Sequence, residues 1–376
     1  MKKTVIFFLK VAVSVVILAL IFSKVNINQI WSTLSKANLL YLISALMVYF
    51  MVQGLSAYRW HCLLKPLDIK ARYPRILSIY SMGMYFNFFL PSAIGGDVFR
   101  IYYLNKDTSR LSASTASVFL DRDVGMGGLL LVATLVAAIS GTRLGGEQGV
   151  LLYPIFGIIT IGFILANLVL FYRPTYNLLH RLLRLFKLKG ADVKVERLFS
   201  SVNAYRGKWR LLGAALLMSV GVQIGCAIVN MIAAAAIGLH TRNGWLDYLV
   251  FIPAIGLIGM IPASVNGMGW REMSYILLFQ SVIVAVAGNP SPTQQDTEAA
   301  ALALSFLWLG VLVATALPGG ILYVMGGRRR PGALVEDGID PDQAGQINAA
   351  KGQGHEGDHF STLSSNSPEN EPISTI

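Results

Sequence analysis

Pro91-Ser92-Ala93-Ile94-Gly95-Gly96-Asp97-Val98-Phe99-Arg100 returns in altered form as Pro262-Ala263-Ser264-Val265-Asn266-Gly267-Met268-Gly269-Trp270-Arg271-Glu272. In each segment a glycine follows the proline five residues on, and an arginine nine residues on. Both segments lie among apolar residues, where proline, glycine and charge are disfavoured unless protein or a water-filled cavity surrounds them. Helix-breaking segments in corresponding positions of two halves point to a binding site between the halves of a membrane protein. The pair therefore predicts an all-α polytopic membrane bundle of two inverted repeats, each containing a re-entrant or broken helix.

Composition supports that class. Of the 376 residues, 54% are hydrophobic and 14% charged. Several apolar runs reach about 20 residues, enough to cross a bilayer as helix. The ten-residue alternation of a membrane β-barrel is not seen. Cys62 and Cys226 lie far apart, beside or within apolar segments, and read as buried thiols rather than a disulfide or metal pair. The net charge of +11 is informative through its placement. Lys and Arg collect at 59–75 and 173–210, and Arg328, Arg329 and Arg330 close the last apolar run. Short cytoplasmic loops carry such an excess, so no nucleic-acid partner is implied. Lys2 and Lys3 precede an apolar run to Phe22 that is long for a signal peptide and has no clear cleavage site. A retained first helix follows, in an inner (cytoplasmic) membrane, with both termini cytoplasmic.

Helices are expected at 4–23, 39–58, 76–90, 112–140, 149–172, 211–239, 247–262, 270–288 and 299–325. Basic loops flank 76–99, which then enters and leaves on the cytoplasmic side. The loop Asn289 to Glu298 carries Asp296 and Glu298 but no Lys or Arg, which suits the outside, so 247–288 is expected to begin and end outside with Pro262 to Gly269 at its middle. One motif would enter from each face, the pattern of an inverted-topology repeat. The alternative is a set of ordinary spans, and 98–104 is short for a returning limb. The expected organisation is a membrane domain at 1–330, with repeat one at 39–172, a basic cytoplasmic loop at 173–210 and repeat two at 211–327. Leucines among the basic residues of that loop suit an amphipathic surface helix or an ordinary cytoplasmic one. Residues 331–376 hold eight acidic residues and one lysine, too little apolar surface to offset chain entropy, and are expected to be a disordered acidic cytoplasmic tail.

Asp97 and Arg100 are three apart and share a helix face, whereas Arg271 and Glu272 are adjacent and are not expected to. Each charge at mid-bilayer costs roughly 2.5–3.5 kcal/mol on insertion scales. Two readings offset that cost: an ion pair that locks the half-bundles, or a polar cavity for a lipid headgroup. In the second, Arg100 and Arg271 meet phosphate through their planar donor forks, and the broken backbone at Gly95-Gly96 and Asn266-Gly267 presents N–H groups to an anion. Asn87 and Asn266 bond lipid hydroxyls or satisfy freed backbone groups. Asp121-Arg122-Asp123 interrupts another apolar run. It matches the Asp-x-Asp of metal-binding glycosyltransferases over three residues only, and a charge cluster facing the bundle is the better reading. Arg59, Trp60 and His61 close the second expected helix, where an interfacial tryptophan and a snorkelling arginine are the expectation. No phosphate loop, dinucleotide fingerprint, Ser-His-Asp set or metal-ligand spacing occurs, so neither cofactor nor metal is implied.

Asn87 through Arg100, then Asp121-Arg122, then Pro262 through Glu272, with Pro91, Gly95, Gly96, Gly267 and Gly269 in place, resemble the membrane domain of the lysylphosphatidylglycerol synthase/flippase family. The resemblance covers residues 5–327. It implies a domain that moves aminoacylated phosphatidylglycerol between leaflets, fused in other members to a soluble aminoacyl-transferase. Stand-alone archaeal relatives are linked to dolichol-phosphate-dependent glycosylation. Only a short tail follows Arg330 here, so lysyl-transferase activity is not expected. The leading expectation is a lipid translocase whose partners are anionic or aminoacylated phospholipid or polyprenyl phosphate. Its substrate-binding residues would be Asn87, Asp97, Arg100, Asp121, Arg122, Asn266, Arg271 and Glu272. A membrane-embedded transferase using Asp97, Asp121 or Glu272 is one alternative. A non-transporting scaffold for a lipid or a lipid-modifying enzyme is the other. Homo-oligomers are common in this class, but no residue here specifies an interface.

Overall fold

A computed structural model describes residues 17, 19, 21, 27–89, 95–140, 146–171, 203–260, 267–286 and 289–326, all within the unit Met1–Leu334. Most of the helix expected at 4–23, residues 173–202 of the expected 173–210 loop, the tail 331–376, and Pro91, Pro262 and Asn266 lie outside them. The described chain is an all-α bundle with one small ribbon. Helices α1 (Ile27–Ser35), α2 (Leu39–Leu64), α3 (Tyr73–Phe89), α4 (Gly95–Thr108) and α5 (Leu111–Ser140) precede α6 (Gly146–Phe171), α7 (Trp209–Ala236), α8 (Trp245–Gly259), α9 (Trp270–Phe279) and α10 (Gln294–Gly326). Strands β1 (His240–Thr241) and β2 (Ile283–Ala285) pair antiparallel, with His240 opposite Ala285.

Local chemistry sets the boundaries. Asn38 caps α2 through Oδ1, which accepts the Leu40 N–H at 2.9 Å. The Asn38 N–H donates to Ala236 O at 2.8 Å, fastening the start of α2 to the end of α7. The helix expected to stop at 58 continues to Leu64 and tightens into a single 3-10 turn, Lys65–Leu67, at Pro66. The helix expected over 270–288 ends at Phe279. The β-branched run Val282-Ile283-Val284 prefers a pleat, and β1 offers it an edge to pair with.

Among the described residues four helices, α2, α5, α7 and α10, are long and apolar enough to cross a membrane. The hairpin helices are shorter, at 17 residues for α3, 14 for α4, 15 for α8 and 10 for α9. At 14 residues, α4 rises about 21 Å, a longer limb than the sequence suggests. The first hairpin is drawn tight where Gly83 faces Gly96. A Cβ on Gly96 would overlap the Gly83 carbonyl oxygen and reach 2.5 Å from Asn87 Oδ1. At the other end of that hairpin Arg75 grips Asp107 with two hydrogen bonds, 2.9 and 3.1 Å long.

Packing divides into two cores and a seam. One core gathers Trp60, Leu63, Ile76, Ile79, Leu104 and Leu120 from α2–α5. The other gathers Phe251, Tyr275, Phe279 and the Ala299–Leu304 stretch from α8–α10. Tyr49, Val52, Val229 and Val311 form the seam where α2 meets α7 and α10. The helix contacts obey an exchange rule. Replacing α1–α5 by α6–α10, and the reverse, turns every substantial helix–helix contact into another. Thus α3 on α10 becomes α8 on α5, α2 on α5 becomes α7 on α10, and α2 on α7 becomes itself. Cys62 is buried and Cys226 half-buried, both as free thiols. Apolar side chains such as Ile158 and Val324 point outward, as lipid-facing residues do.

Candidate functional site

Among the described residues seven charged side chains are buried: Arg59, Asp97, Arg100, Asp121, Asp247, Arg271 and Glu272. Four of them, with Arg122, form one alternating chain in the first half. Arg59 meets Asp121 at 3.0 Å, and Asp121 meets Arg100 at 2.7 Å. Arg100 reaches Asp97 at 3.4 Å, and Asp97 is held bidentately by Arg122 at 2.8 and 3.0 Å. Ser219 on α7 accepts from Arg59 Nη1 at 2.8 Å. The Arg100 guanidinium lies 4.1 Å from the Trp60 ring centre and 4.7 Å from that of Tyr80, a cation–π environment. Three guanidiniums against two carboxylates leave one positive charge uncompensated.

The second motif builds its own cap. Gly267 and Gly269 take left-handed backbone, with φ of +74° and +88°, which glycine adopts at little cost. The turn delivers Glu272 to the first turn of α9, where Oε2 accepts the Gly269 N–H at 2.6 Å. Oε1 accepts from Arg271 Nε at 3.0 Å. The expectation that adjacent Arg271 and Glu272 stay apart is thereby corrected: the long arginine bends back across the open first turn.

Both motifs border a single cavity of about 280 Å³. Tyr80, Gly83 and Asn87 come from α3, Arg100 from α4, Arg122 from α5, Gly256 and Gly259 from α8, and Arg271 from α9. None of the partner carboxylates Asp97, Asp121 and Glu272 lines it. Three guanidiniums thus share a wall from which their counter-charges are withdrawn. Such a wall favours an anion, and planar forks favour phosphate or carboxylate oxygens. Arg100 Nε is buried without a hydrogen-bond partner among the described residues, leaving a donor available. The Arg122 side chain is 48% exposed, so it is open to a ligand while still held by Asp97. Asn87 Oδ1 accepts the Gly96 N–H at 2.8 Å and so joins the end of α3 to the start of α4.

The predicted residues Asp97, Arg100, Asp121 and Arg122 come together in one network, and Asn87 and Arg271 join Arg100 and Arg122 on the cavity. Glu272 stands behind Arg271. Gly95 and Gly96 open α4. Arg59 was expected to snorkel to the membrane surface, but it is buried as the inner anchor of the chain. A longer second helix was the missing signal, since Trp60, Cys62, Leu63 and Leu64 are apolar enough to carry the helix past Arg59. Tyr80 and Ser219 gave no charge or spacing signal.

A family model described as the lysylphosphatidylglycerol synthase TM region matches residues 7–291. A UPF0104 membrane protein of Methanocaldococcus jannaschii is 30% identical over 95 residues. That match spans 25% of this chain and 28% of the relative's length.

Proposed function

Because the chain belongs to the lysylphosphatidylglycerol synthase TM region family, we propose that this multi-pass membrane protein is a lipid translocase that holds a phosphate-bearing headgroup between its two halves. The observation that carries the proposal is the convergence of Arg100, Arg122 and Arg271 on one cavity that excludes their carboxylate partners. An anionic or aminoacylated phospholipid and a polyprenyl phosphate share the phosphate those arginines recognise. Asp97 and Asp121 keep the guanidiniums charged and aimed, and they position rather than bind. Asp97, Asp121 and Glu272, the carboxylates a membrane-embedded transferase would use, are each engaged by arginine.

The exchange rule among the helices, with basic loops beside the first hairpin and an acidic loop after the second, supports inverted repeats entered from opposite faces. Alternating access by rocking of the two halves follows from that arrangement, in a cytoplasmic membrane with both termini inside. A lipid-modifying enzyme on one leaflet is the partner such a translocase serves. Purified protein in proteoliposomes is expected to move labelled lipid of one class among anionic phospholipid, aminoacylated phospholipid and polyprenyl phosphate. Arg271→Gln, at equal incorporation, is expected to abolish that movement. Movement of no class by the wild type, or unchanged movement by the variant, would contradict the proposal.

A further inference from the structure

Asp121, Arg122 and Asp123 are consecutive on α5, and a helix turns successive side chains by about 100°. Asp121 and Arg122 serve the charged chain and the central cavity. Asp123 lines another space, a groove of about 580 Å³ between α5, α6 and α7. Its Oδ1 accepts from Asn167 Nδ2 at 3.2 Å. Among the described residues it forms no ion pair. Arg206 and Trp209 line the same groove where α7 begins. Arg206 pairs with no carboxylate among the described residues. Much of the remaining wall is apolar, with Val124, Phe163, Ile164 and Leu216.

An unpaired acid, an unpaired arginine and an indole lining one largely apolar groove complement one kind of molecule. We propose that the groove binds a phospholipid with a primary-amine headgroup, its ammonium on Asp123, its phosphate at Arg206 and one acyl chain along α6 and α7. A purely anionic headgroup would leave Asp123 without a cation beside its own negative charge. A quaternary ammonium has no N–H to donate to the carboxylate. The apolar walls select a lipid over a free amine phosphate. This site lies on a different face of α5 from the central cavity and does not rest on transport.

Trp209 reports on the groove. The chain has six tryptophans, so its signal is taken as the difference between wild type and Trp209→Phe. Protein is reconstituted in phosphatidylcholine vesicles containing brominated-chain phosphatidylethanolamine, phosphatidylglycerol or phosphatidylcholine. The Trp209 signal is expected to quench at a roughly tenfold lower mole fraction of the brominated ethanolamine lipid, the effect of one charge-assisted hydrogen bond. Asp123→Asn, nearly isosteric, is expected to erase that preference and leave quenching by the choline lipid unchanged. A Cβ on Gly213 of α7 would meet no atom within 4 Å. Gly213→Leu, whose Cβ has room, puts apolar bulk at the groove and is expected to erase the preference as well. Equal quenching by all three lipids, no quenching by any, or a preference that survives either variant would overturn the proposal.

Discussion

Asp121 is held by Arg59 at 3.0 Å and Arg100 at 2.7 Å, with its side chain 2% exposed. Removing one member of a buried charged set leaves the others uncompensated and costs about 3–5 kcal/mol. Asp121→Asn is thus expected to lower stability by that amount, read as thermal unfolding in detergent. Arg122→Gln is expected to cost about 1 kcal/mol, because a half-exposed guanidinium is better solvated and its partner Asp97 keeps Arg100. Equal losses from the two variants would count against an inner anchor and an outer, ligand-facing arm. At this scale the sequence made the charges conspicuous, since Asp97, Arg100, Asp121 and Arg122 interrupt apolar runs. It did not reveal the pairing, because Asp121 binds across 62 and 21 residues of chain to Arg59 and Arg100. Only tertiary contact brings those groups together.

Each hairpin depends on backbone that only glycine allows. Gly96 lets α4 approach α3 so closely that an added methyl would strike the Gly83 carbonyl. Gly96→Ala is expected to cost about 1–3 kcal/mol as overpacking, and to loosen the Asn87 bond to the Gly96 N–H as well. Gly310 on α10 is the control, since a Cβ there meets nothing within 4 Å. Gly310→Ala is expected to be neutral or to stabilise by up to about 1 kcal/mol through helix propensity. Similar thermal shifts for the two variants would remove the close approach from the explanation. The described glycines of both motifs were legible as the places where a helix begins: Gly95 and Gly96 open α4, and Gly267 and Gly269 precede α9. The length of α4 and the end of α9 were not. Asp97 to Thr108 lacks the apolar run that marks a spanning helix and is helical because α3 and α5 pack against it. The stretch after Phe279 has strand chemistry, but its partner β1 lies more than 40 residues earlier.

At the scale of the molecule, two cores meet along a seam of α2, α7 and α10, and the helix contacts survive exchange of the halves. The sequence hinted at this through one motif written twice. The rest was hidden because contacts, unlike residues, carry the correspondence: Arg100 and Arg271 match in place, whereas Asp97 and Glu272 do not. An exchange of halves puts the cavity between the two hairpins, with Arg122 contributed by the first half and Arg271 by the second. Binding of a short-chain phosphatidic acid, the simplest lipid with a phosphate headgroup, tests that geometry by calorimetry on purified protein. Arg122→Gln and Arg271→Gln are each expected to weaken binding by about 10- to 100-fold, the loss of one charge-assisted contact. Wild-type affinity in either variant would contradict a single headgroup held by both halves.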